Sequence, residues 1–90
     1  MKTYLIAYDL NSPGRDYTSL LEAIKEISNG WWHHLDSTWI IRHAGGAKEI
    51  RDALAVHIDS NDELLVAHLS GEAAWTGFNQ KGSTWLKENL

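Results

Sequence analysis

Thr3-Tyr4-Leu5-Ile6-Ala7-Tyr8-Asp9-Leu10 runs straight into Asn11-Ser12-Pro13-Gly14-Arg15-Asp16. The first of these stretches is apolar at both parities, with Leu5 and Ala7 on one face and Tyr4, Ile6 and Tyr8 on the other. That pattern predicts a central strand covered on both faces. The strand ends on a carboxylate, Asp9. In open α/β sheets the C-terminal ends of strands are where ligands and chemistry gather. Pro13-Gly14 then breaks the chain.

Outward from this strand, Tyr17 to Ser28 reads as a helix. Leu20, Leu21, Ile24 and Ile27 fall on one side of it. Ser19-Leu20-Leu21-Glu22 matches a capping box, and Asp16 competes with Ser19 as the N-cap. Asn29-Gly30 stops the helix. Trp31 to Leu35 and Thr38 to His43 read as strands joined at Asp36-Ser37, and Gly45-Gly46 ends the second of them. A further helix runs from Ala47 to His57, with Ala47, Ile50, Ala53, Leu54 and Ile58 on its buried stripe. Asp59-Ser60-Asn61-Asp62 is a turn, and Glu63 to Leu69 is the fourth strand. A short helix near Thr84 to Asn89, capped by Ser83, closes the chain.

The order βαββαβ with right-handed crossovers predicts an α+β, ferredoxin-like domain over residues 1–90, a four-stranded antiparallel sheet with two helices on one face. The expected strand order is 4-1-3-2. The other sheet face then has no helix over it. A patch of Tyr, Trp, Ile and His is more than a monomer usually exposes, so a homodimer is expected. The alternative is that the tail with Trp75, Phe78 and Trp85 folds back over that face.

The chain has 90 residues and no Cys, which fits one domain without disulfides or a Cys-based zinc site. A chain of this size buries only somewhat more than about 60% of its unfolded surface. Five Trp, three Tyr and one Phe enlarge its core. With no signal peptide after Lys2 and no membrane-length apolar run, the expected location is the cytoplasm. The net charge of −4 argues against broad nucleic-acid binding, which wants a basic face. A local site for RNA, DNA or a nucleotide stays open.

Tyr8-Asp9-Leu10-Asn11-Ser12-Pro13-Gly14-Arg15-Asp16-Tyr17, followed by Gly30-Trp31-Trp32-His33-His34-Leu35-Asp36-Ser37-Thr38-Trp39, resembles the small SinR-type proteins. These are similar in turn to Cas2 and VapD, dimeric proteins of ferredoxin-like fold. The Cas2 likeness implies a metal-dependent nuclease with Asp9 of each subunit facing the dimer axis. The VapD likeness implies an endoribonuclease. Mg²⁺ or Mn²⁺ is the implied cofactor. Unlike Cas2-type chains, this one follows its Asp with Asn11-Ser12-Pro13-Gly14 and a single nearby cation, Arg15.

Each candidate residue carries a plainer alternative. Asp9 is the expected metal ligand and catalytic group, or else a cap for the turn. Asn11, Ser12 and Arg15 precede a helix and suit a phosphate, or else form an ordinary Pro-Gly turn. Trp39, with Trp31 and Trp32, could stack a base, or else packs the core. His34 is a distant candidate for proton transfer, and adjacent His33 points to the other face of the strand. A non-catalytic dimeric module holding a small nucleotide or a protein partner is the competing function.

Overall fold

The computed structural model describes residues 1–90. Its elements are β1 (Lys2–Asp9), α1 (Thr18–Ile27), β2 (Trp31–Leu35), β3 (Thr38–His43), α2 (Ala47–Ala55), β4 (Glu63–His68) and α3 (Gln80–Asn89). The four strands form one antiparallel sheet in the order β2-β3-β1-β4, so β1 and β3 are central. The chain is therefore α+β, with three helices. No helix is long and apolar enough to cross a membrane.

Register divides the side chains between the two faces. Ile6 lies opposite Trp39, and Tyr4 opposite Ile41. Tyr4, Ile6, Tyr8, Trp39 and Ile41 thus share one face, where Leu20 and Ile24 of α1 and Ile50 and Leu54 of α2 pack on them. Two tyrosines sit in this core because their hydroxyls are satisfied: Tyr4 donates to the Gly45 carbonyl (2.7 Å), and Tyr8 accepts from the Trp39 indole N–H (3.0 Å).

The other face carries Leu5, Ala7, Ile40 and Trp32. It is not bare. Leu86 of α3 packs on Trp32 and Ile40, with Trp75, Phe78 and Trp85 around them. The folded-back tail covers this part of the face, which leaves a dimer less apolar surface to cover than the sequence implies. Part of the face stays open where the tail does not reach: Leu35 is 47% exposed and Leu65 58%.

Helix ends differ from expectation in three places. Tyr17 sits at the cap position of α1 and makes no side-chain cap bond, so neither Asp16 nor Ser19 caps this helix; the Asp16 carboxylate instead accepts from the Thr18 N–H (2.9 Å) and hydroxyl just outside it. The last turn expected of α2 instead tightens, with the His57 N–H reaching the Leu54 carbonyl at 3.0 Å. α3 begins a turn early because Asn79, not Ser83, supplies the cap, its Oδ1 accepting from the Gly82 N–H (2.8 Å). The far end of α3 is tied to the sheet by Arg42, which donates to the Asn89 carbonyl (3.1 Å) and to Thr3 Oγ1 (3.0 Å). A guanidinium at that end also complements the helix dipole.

Candidate functional site

β1 delivers Asp9 to the rim of the sheet on the α3 side, and the β1–β4 register sets Glu63 directly opposite. Both are exposed. They edge an open cleft of about 320 Å³ whose floor and wall include Ala7, Ser37, Thr38 and Leu65. The chain's three ion pairs join Arg15 to Asp59 and both Lys48 and Arg51 to Asp52. Asp9 and Glu63 take part in none of them. Nor does the Asp9 carboxylate cap the turn: Asn11 Nδ2 reaches the Asp9 backbone carbonyl (3.4 Å), not its side chain. Like charges set opposite each other across two strands cost stability. This pair is therefore two free acceptors held at a fixed spacing. No third His, Asp or Glu completes a larger ligand cluster.

The turn after Asp9 is occupied by the protein itself. Arg15 pairs with the Asp59 carboxylate and donates to the His57 carbonyl (3.0 Å). Ser12 donates to Asp59 (3.0 Å), and the Asn11 N–H to Asp62 (2.7 Å). Asn11 Nδ2 also donates to the Asn61 carbonyl (2.9 Å), and Asn61 Nδ2 returns a bond to the Asn11 carbonyl (3.1 Å). The Tyr17 hydroxyl donates to Asp62 (2.8 Å), and the Arg15 guanidinium lies over the Tyr17 ring (5.2 Å). Asn11, Ser12 and Arg15 were expected to hold a phosphate. They instead clasp the α2–β4 loop, and a phosphate would meet two carboxylates there.

The clasp sets the charge of its acids. The hydrogen bond from Arg15, and then that from Ser12, hold the Asp59 carboxyl below its ordinary value. At Asp62, partial burial works upward and is outweighed by the N–H groups of Asn11 and Asp59 and by the Tyr17 hydroxyl. A carboxyl depressed in the folded state stabilises fully above its unfolded value and loses that contribution as pH falls. The clasp should thus hold at neutral pH and release as pH drops below the ordinary Asp value of 3.8. Asp62→Ala should lower the melting temperature by several degrees at pH 7 and flatten its fall between neutral and acid pH. Melting curves of both proteins against pH check this. An equally steep acid loss in the variant would place the labile carboxyls elsewhere.

Two other expected site residues lie away from Asp9. Trp39 is 1% exposed beneath the helices, with the His33 ring stacked on it (centroids 3.8 Å apart, planes at 15°). A ring so covered cannot stack a base, so Trp39 belongs to the core. His34 is on β2, two strands from Asp9, with its ring near Trp32 (5.1 Å) and Phe78 (6.2 Å). It lines a different cleft, shared with Lys81. It is therefore not a proton carrier at Asp9. Only the strand register pairs Glu63 with Asp9, and no local sequence pattern marks it.

No family model, curated protein or solved structure matches the chain.

Proposed function

We propose that this ferredoxin-like chain is a cytoplasmic, Cas2- and VapD-type protein that binds a phosphodiester of RNA or DNA at Asp9 and cleaves it. The observation that carries the proposal is the unpaired Asp9 carboxylate beside Glu63 in an open cleft at the end of a central strand. Mg²⁺ is commonly held by one or two carboxylates, with water and phosphate oxygens completing its shell. Asp9 and Glu63 are a donor set of that type. Bound there, Mg²⁺ or Mn²⁺ would offset phosphate charge and lower the pKa of an attacking water. The hydroxyls of Ser37 and Thr38 on the cleft wall would orient phosphate oxygens, and Ala7 and Leu65 would shield the floor from water. In this reading the working form is a homodimer. The open strip at Leu35 and Leu65 would stack on its copy and bring a second Asp9 near the first.

One observation favours the second reading, a non-catalytic module for a small nucleotide or a protein partner. Four of the eight Lys and Arg residues are tied up internally: Arg15 at Asp59, Arg42 at Asn89, and Lys48 and Arg51 at Asp52. Few cations remain to grip a polyanion.

The test incubates wild type and Asp9→Asn with labelled single- and double-stranded RNA and DNA, with Mg²⁺, Mn²⁺ or chelator. The expected result is metal-dependent cleavage that falls at least about 100-fold in Asp9→Asn, by analogy with losses at metal sites. Asp9→Asn should melt no lower than wild type, since it relieves the like-charge pairing with Glu63, and light scattering should report a dimer. If neither protein cuts any substrate, the second reading replaces the first. A wild-type monomer at micromolar concentration would end the shared-site geometry.

A further inference from the structure

We propose a second site, a nucleotide-binding cleft along the outer edge of β2, where the base lies against Trp31 and Trp85 and the phosphate meets Lys81 and His34. The cleft has a volume of about 240 Å³ and is lined by Trp31, Trp32, His33, His34, Lys81 and Trp85.

The indole N–H groups single this cleft out. Those of Trp32, Trp39 and Trp75 are each satisfied inside the fold, by the Gly82 carbonyl (3.2 Å), Tyr8 (3.0 Å) and Ser83 (3.2 Å). The remaining two tryptophans, Trp31 and Trp85, both line this cleft and keep a free donor. Trp31 is also 43% exposed, a large aromatic surface to leave in water. The Lys25 ammonium lies 5.4 Å from its ring centre, which adds positive charge on that side.

Charge supports the same ligand. The chain carries twelve Asp and Glu, yet none lines this cleft. Lys81 forms no ion pair, in contrast to Arg15, Lys48 and Arg51. An aromatic wall with an unpaired lysine in it recognises a π-face joined to an anion. Gly82 allows the convergence. A Cβ there would stand 3.2 Å from the His34 ring, so a glycine lets α3 approach β2 closely enough to bring Lys81 beside His34.

The site shares the nucleotide chemistry of the proposed function but none of its residues. Its ligand is a free mononucleotide or the phosphorylated end of a single strand. The test titrates the protein with AMP, GMP, CMP and UMP, with adenosine, and with short single-stranded RNA with and without a 5′-phosphate. Readouts are tryptophan fluorescence and the NMR signals of the indole N–H groups. Phosphate-bearing ligands should quench fluorescence and shift the Trp31 and Trp85 signals, leaving that of Trp39 in place. Adenosine should bind at least about tenfold more weakly than AMP, and Lys81→Glu should lose AMP affinity by a similar factor at unchanged melting temperature. A 5′-phosphorylated strand binding much more tightly than AMP makes a strand end the ligand, and equal affinities make it the mononucleotide. No quenching at millimolar nucleotide, or full affinity in Lys81→Glu, overturns the site. Nucleotide binding without any cleavage would defeat the Asp9 reading and leave this one standing.

Discussion

Trp39→Ala should cost about 3–5 kcal/mol, the range for removing a large aromatic ring from a packed core. Trp39 is the largest of the fully buried side chains, and it does two things at once. Its ring supports the stacked His33 and tilted Trp31 of the edge strand (5.2 Å), and its N–H satisfies the buried Tyr8 hydroxyl. A 90-residue domain holds roughly 0.05–0.15 kcal/mol per residue, so the loss removes about a fifth of the total or more. With about 4–8 °C lost per kcal/mol at this size, the melting midpoint should fall by at least ~12 °C. Trp39→Phe keeps much of the volume but leaves Tyr8 without its donor. It should fall between the variant and wild type, at about 1–3 kcal/mol. The two melting curves decide between core and ligand roles for this residue. A stable Trp39→Ala that had lost only nucleotide binding would return Trp39 to a binding surface and contradict its burial.

Trp39 shows where sequence reading stops. β3 reads Trp39-Ile40-Ile41, apolar at both parities, so alternation cannot say which residues face the helices. Only the pairing of Ile6 with Trp39 fixes it. The elements themselves were legible, because Pro13-Gly14, Asn29-Gly30, Asp36-Ser37 and Gly45-Gly46 mark their ends in local chemistry. α3 was only half legible. Asn79-Gln80-Lys81-Gly82 is polar and contains a glycine, which obscures a first helical turn that Asn79 in fact caps. The site followed the same rule. Asp9 at the end of β1 could be seen locally. Its neighbour Glu63, and the Asp59 and Asp62 partners of the turn, are far along the chain, and no short-range pattern announces them.

Leu86→Ala should detach α3 without unfolding the rest. Leu86 is 2% exposed and is the residue of α3 that fills the space over Trp32 and Ile40. Its truncation is worth about 2–5 kcal/mol if nothing relaxes. That figure is an upper limit. Once the cost exceeds what holds α3 on the sheet, the helix lets go and the loss stops there. The ten-residue core beneath α1 and α2 shares no side chain with this cluster, so it has no reason to follow. Segments that open separately show separate exchange rates. Amides of Ser83 to Leu90 should therefore exchange at least about 30-fold faster in Leu86→Ala, equivalent to roughly 2 kcal/mol, while those of β1 and β3 change far less. Bared Trp32 and Phe78 should also raise the binding of an apolar dye and promote self-association. Uniform acceleration across all amides would instead make α3 an inseparable part of one cooperative unit. The result bears on the second site as well, since Lys81 and Trp85 reach β2 only while α3 is docked. A nucleotide in that cleft binds the docked state alone, so AMP should slow α3 exchange in wild type and partly restore it in Leu86→Ala. Protection of α3 by AMP with no change at β4 would tie the ligand to the helix, and the absence of any protection would separate them.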